Sequence, residues 1–245
     1  MLNFLTQNYY YLLSLEFLTA IIGLLCYKYY KHSVAKYFII FLLYVTVVDT
    51  LGLYTQYVSE DKALEFLIGT VFEKNYWLGT LSWDIGAVLF YTFYYRKILH
   101  YKLSKNIVLG VSILFLIFSL VYIGTHLNQF FLEYYSSVIV FGGFTVVLCS
   151  SLYFVEMLLS EKILYFYKDL NFYISVVIFM WWIIITPLTF YDVYYTYDEV
   201  NSFSDWNYVH LRQQIYIFAN LFMYLCFTVA LIYCRPRKNE IVDCK

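Results

Sequence analysis

Seven stretches of about twenty predominantly apolar residues dominate this chain of 245 and decide what it can fold into. An α-helix advances about 1.5 Å per residue, so about 20 residues cross the roughly 30 Å hydrocarbon core of a bilayer. The stretches run over residues 9–27, 37–56, 76–95, 107–126, 136–157, 172–191 and 210–234. They lack the alternation of barrel strands, and lipid leaves no backbone group unpaired, so each reads as a helix. The connections are short, which predicts an all-α fold. The expectation is one seven-transmembrane helix bundle over residues 1–245 with no soluble domain.

Composition closes off the other classes. Charged residues make up 13% of the chain and hydrophobic ones 62%, where a soluble domain carries about 25% charged residues. Aromatic residues reach 24%, the opposite of a disordered composition. A net charge of -1 with no basic block argues against nucleic acid as a partner. No Gly-rich phosphate loop occurs, and the five cysteines are spaced neither for an external disulfide nor for a metal site. MLNFLTQN carries no basic residue ahead of the first apolar run and no small-residue cleavage site follows. The first helix is therefore expected to be the insertion signal itself.

Basic residues predict the orientation. Thirteen of the sixteen Lys and Arg fall after the first, third, fifth and seventh stretches, against three (Lys62, Lys74 and Arg212) on the other side. By the positive-inside rule the N-terminus is external and the C-terminus cytoplasmic, in a multi-pass protein of the cell membrane. Of the two larger outer loops, residues 58–75 contain ALEFLIGTVF, expected as a short amphipathic helix in the interface, and residues 192–209 are rich in Tyr and acid. No internal repeat supports an inverted-repeat transporter.

Ionisable groups inside spans are costly and mark function, so Glu16, Asp49, Asp84 and Glu156 carry most of the information. Counted from the outer ends, the first three lie about 10 to 12 Å deep, all in the outer leaflet. Each shares a helical face with small or polar residues: Ala20 and Gly23, Thr46 and Gly52, Thr80 and Ala87. Such faces point into a bundle. Serving structure alone, each carboxyl would add an interhelical hydrogen bond of about 0.6 kcal/mol. Three at one depth predict instead an outward-facing polar cavity. Trp182, Gln213 and Asn220 join it on the same reasoning, with His126, Asp192, His210 and Arg212 at its rim. A further stripe on the fourth helix, Ser112, Ser119 and Tyr122, is expected to face it too. Glu156 lies at an inner helix end near Lys162, where an interfacial ion pair is expected.

Known seven-helix families set limits. The last helix has no Lys for a retinal Schiff base, so no retinal cofactor is expected. The third helix ends YTFYYRK, without the acidic-Arg-aromatic triplet of G-protein-coupled receptors, and the last has no Pro. His126 and His210 stand alone, unlike the three-His cluster of seven-helix zinc hydrolases. The motifs SLEFL, SWDIG, YFVEM, FMWWI and CRPRK do bear a likeness. Through them the chain resembles, over most of its length, a group of uncharacterised seven-helix membrane proteins of Bacteroidota. That resemblance implies no activity; the placing of some members beside sensor kinases implies a link to signalling.

The leading expectation is therefore a membrane receptor or signalling component that binds a small ligand or ion. Arg96, Lys97, Lys102 and Lys105 then form a surface for a cytoplasmic signalling partner. A channel or proton/cation-coupled transporter using the carboxyls, as a homo-oligomer if the pore lies between copies, is the second. A metal-dependent intramembrane lipid hydrolase is the third.

Overall fold

The computed structural model describes residues 2–195 and 206–235, with side chains described for residues 10–160, 164–192 and 207–235. Among them the fold is all-helical: α1 (Leu2–Tyr30), α2 (Ala35–Gly52), α3 (Tyr76–Gly79, Thr80–Ala87 and Val88–Ile98 in succession), α4 (Lys102–Thr125), α5 (Ser136–Leu158), α6 (Leu170–Tyr195) and α7 (Trp206–Tyr233). Every expected stretch lies within or largely within one of these helices. Most ends run a few residues further, because a helix does not stop where its apolar run stops.

Six helices, all but α3, are long and apolar enough to cross a membrane. Their outward faces confirm the solvent for which they are made. Leu25, Leu114, Ile117, Leu120, Val121, Phe144, Phe218 and Val229 are all exposed, a density of bare apolar surface that water would not tolerate. α3 owes its three-part form to a central π-helical stretch, Thr80–Ala87. There i→i+5 bonding accommodates an extra residue in the turn.

Six helices close into a ring in the order α1, α2, α3, α5, α6, α7, with α7 packed back on α1. α4 stands outside that ring and packs chiefly on α3 and α5. Close approach sets part of this order. A Cβ on Gly143 of α5 would collide with Thr186 Oγ1 of α6, and one on Gly142 would come within 2.9 Å of Val88 on α3. Small residues are what let membrane helices pack this tightly.

One end of the bundle carries residues 31–34, 99–101 and 159–169 with Arg235, the basic end; the other carries residues 53–75 and 126–135, the acidic end. At the basic end Phe38, Tyr94, Tyr95, Ile174 and Leu231 are completely buried and fill the ring.

One loop expectation changes. The segment 63–72 is not an amphipathic helix: it holds only a 3-10 turn, Glu65–Leu67, before Gly69 enters the left-handed region at φ +75. A left-handed residue there ends any helix. Glu156 has backbone partners. It accepts hydrogen bonds from His100 N (2.6 Å) and Tyr101 N (3.1 Å), the amides leading into α4. A carboxylate there satisfies two free donors and meets the positive end of the helix dipole. The side chain of Lys162, its expected partner, lies outside the described residues.

Candidate functional site

A cavity of about 470 Å³ occupies the half of the ring toward the acidic end, and every ring helix contributes to it. α1 supplies Glu16, α2 Asp49, α3 Trp83, Asp84 and Tyr91, α5 Ile139, α6 Trp181, Trp182 and Asp192, and α7 Arg212, Tyr216, Asn220 and Tyr224.

Of the nine binding residues expected from sequence, Glu16, Asp49, Asp84, Trp182, Arg212 and Asn220 line this one space. His126, His210 and Gln213 are not among its lining residues. His126 ends α4, the helix outside the ring, where its ring stacks on Tyr122 at 4.5 Å and its Nδ1 contacts Thr125 Oγ1 at 2.9 Å. The Ser112 and Ser119 stripe is likewise spent elsewhere: Ser112 pairs with Thr92 of α3 at 3.0 Å, and Ser119 donates one turn back within α4 to Phe115 O at 2.9 Å. Arg96, Lys97 and Lys102 are exposed at the basic end, and Lys105 is half-buried there.

The three carboxyls have different surroundings. Glu16 is 4% exposed and set among Asp49, Thr46 and Tyr224. Asp49 accepts a 2.7 Å hydrogen bond from the Trp83 indole. Asp84, 9% exposed, lies one turn from Thr80 in the π-helical stretch. Among the described residues Glu16 Oε1 and Asp84 Oδ2 have no hydrogen-bond partner. Unpaired buried acceptors are costly, so their persistence in one cavity is a sign of use.

The cation in the lining is already engaged. Arg212 Nε lies 2.6 Å from one Asp192 oxygen and 2.7 Å from the other, with its guanidinium 4.9 Å from the Tyr216 ring centre. Tyr208 O–H reaches the same Asp192 at 2.9 Å. This cluster ties α6 to α7 at the rim. Beside it Tyr134, from the loop before α5, lies against Gly79, where a Cβ would come within 2.8 Å of its ring. Its hydroxyl is pushed up to about 12, first by burial and then by the nearby Asp84, Tyr76 and Asp49. Tyr134 therefore remains a neutral donor over the mouth at neutral pH.

Aromatic rings form much of the wall. Trp181 and Trp182 meet edge to face at 5.1 Å, and the Trp181 indole donates to Asn220 Oδ1 at 3.2 Å. Sequence reasoning passed over Trp83 and Tyr134. Trp83 adjoins Asp84, and neighbours point about 100° apart in a regular α-helix; the wider π turn is what lets both line the cavity. Tyr134 comes from a loop, where periodicity is silent.

Toward the basic end the cavity gives way to packed side chains. Val88, Val146, Cys149 and Ile178 are at most 1% exposed and separate it from a second polar group at the far end. There Tyr94 donates to Asn171 (2.7 Å) and Tyr153 to Asp169 (3.1 Å). Among the described residues no three His, Cys, Asp or Glu side chains are grouped to hold a metal ion. The fold and this site define an all-helical membrane protein with a carboxyl-lined, aromatic-walled cavity. Comparison with protein-family models, curated proteins and solved structures finds no match.

Proposed function

We propose that this chain is a receptor or signalling component of a bacterial inner membrane, crossing it seven times with the N-terminus outside. The acidic end faces outward, and its cavity takes up a small ligand. The change is passed to a cytoplasmic partner through the basic end, where Arg96, Lys97, Lys102 and Lys105 offer the surface. The observation that carries this reading is a polar cavity that gives way inward to packed side chains: Val88, Val146, Cys149 and Ile178 are at most 1% exposed. A channel or transporter needs a continuous polar path through such packing, and a hydrolase of the metal type needs a donor cluster.

α3 is the natural conductor. Its outer part carries Trp83 and Asp84 in the cavity, and its inner part carries Tyr94, Tyr95 and the exposed Arg96 and Lys97. The test is ion and proton flux in proteoliposomes, wild type beside the triple change Glu16→Gln, Asp49→Asn, Asp84→Asn. No flux is expected from either. Flux that the triple change abolishes would replace the receptor reading with a channel or transporter using those carboxyls.

A further inference from the structure

The cavity has an excess of acceptors and a shortage of positive charge. Three carboxyls face it, Glu16, Asp49 and Asp84, while the cation in its lining, Arg212, is held by the fourth acid, Asp192. Glu16 Oε1 and Asp84 Oδ2 are buried without a partner among the described residues, on side chains 4% and 9% exposed. A buried carboxyl needs hydrogen-bond donors, and a counter-charge where it is ionised, and the described residues supply too few. An anionic ligand would deepen the imbalance. A neutral one would leave the charge unmatched.

Two observations separate an organic cation from a bare ion. The three carboxyls are not grouped closely enough to coordinate one metal ion, and the space of about 470 Å³ fits a molecule. Its walls add the second half of the recognition. The rings of Trp83, Trp181, Trp182, Tyr91 and Tyr216 line it, and the electron-rich faces of aromatic rings attract ammonium groups. Ile139, Ile178 and Ile185 offer the remaining wall to an apolar body.

We infer that the cavity binds a small organic ammonium compound, whose N–H donors meet Glu16 and Asp84 while its carbon skeleton packs against the tryptophans. This rests on the ligand-binding reading above and narrows it to a chemical class.

Calorimetric titration of the full chain in lipid nanodiscs tests it, with methylammonium, phenethylammonium and putrescine as probes. Beside them run 2-phenylethanol, phenylacetate and sodium ion. At least one ammonium is expected to bind saturably and at least tenfold more tightly than the neutral, anionic and sodium controls. Asp84→Asn should weaken that binding at least tenfold, while Glu156→Gln, at the far end of the bundle, leaves it unchanged. A change equal in both variants would mark a folding defect; Asp84→Glu, which keeps the carboxyl, is then expected to bind at least severalfold more tightly than Asp84→Asn, and equal binding by the two would overturn the role of that carboxyl. The ammonium class is overturned if no ammonium probe binds, or if a control binds as tightly. Binding of 2-phenylethanol alone would leave the receptor reading standing and sink only the ammonium class; binding of sodium with flux would sink both.

Discussion

At the residue scale two side chains beside the cavity's acids, Trp83 and Tyr134, can be tested singly. Trp83 gives its indole N–H to Asp49 at 2.7 Å across the α2–α3 contact. Hydrogen bonds between membrane helices average about 0.6 kcal/mol and reach about 1.7. Trp83→Phe keeps the ring and removes the donor, so unfolding in mixed micelles should register a loss within that range. A loss above about 3 kcal/mol would assign the effect to packing instead. Tyr134 makes a prediction in pH. Its folded value of about 12 lies above the ordinary tyrosine value of 10, burial being the first cause. A group raised in this way contributes stability fully below pH 10 and loses it as pH rises toward about 12. Thermal unfolding of wild type and Tyr134→Phe should therefore run parallel from pH 7 to 9. Above pH 10 the wild type should fall faster, and curves that stayed parallel would disprove the assignment.

At the element scale, what could be read from sequence was whatever depends on one helix at a time. The seven helices follow from runs of about twenty apolar residues, and the depth and inward face of Glu16, Asp49 and Asp84 follow from counting along a single axis. Helix order in space is a property of pairs. That is why the stripe on α4 predicts His126 at a cavity that α4 does not touch. The π stretch was equally hidden, since it arises where packing around Gly86 and Gly142 lets α3 widen, and TLSWDIGA has no local signature for it. The α5–α6 contact gives this a measurable form. Gly143→Ala should cost about 1 to 3 kcal/mol, the usual range for overpacking, because its methyl meets Thr186 Oγ1 and Trp182. Thr186→Ala removes the nearest obstacle. In the double variant the cost should shrink by about 1 kcal/mol relative to the sum, and strict additivity would show that the helices do not meet there. The same scale governs Glu156. Glu156→Ala leaves His100 N and Tyr101 N unsatisfied at the start of α4, a loss of about 1 to 2 kcal/mol, and Glu156→Gln should recover part of it.

For the whole molecule the decisive quantity is the number of crossings, because it determines which ends face the same side. With six spans formed by all helices but α3, the loops on either side of residues 76–98 would share a compartment. With seven they would not. α3 is 23 residues in three pieces and long enough at about 1.5 Å per residue to span the hydrocarbon core. Its middle is polar only toward the cavity: Thr80, Asp84 and Ala87 are buried, whereas Leu81 and Phe93 are exposed to the surroundings. A helix that turns its polar face inward and its apolar face outward between two ring neighbours is placed like a span. Single cysteines introduced at Glu60, Glu133, Lys31 and Lys105, in a chain whose native cysteines are replaced by Ser or Ala, read this directly in intact cells with a membrane-impermeant maleimide. Positions 60 and 133 should label from outside, and 31 and 105 only after the membrane is opened. Labelling of 60 and 105 from the same side would remove α3 from the membrane and reverse the orientation of every helix after it. The cavity's carboxyls would then no longer lie at one depth, and the argument for a shared outward site would fail with them.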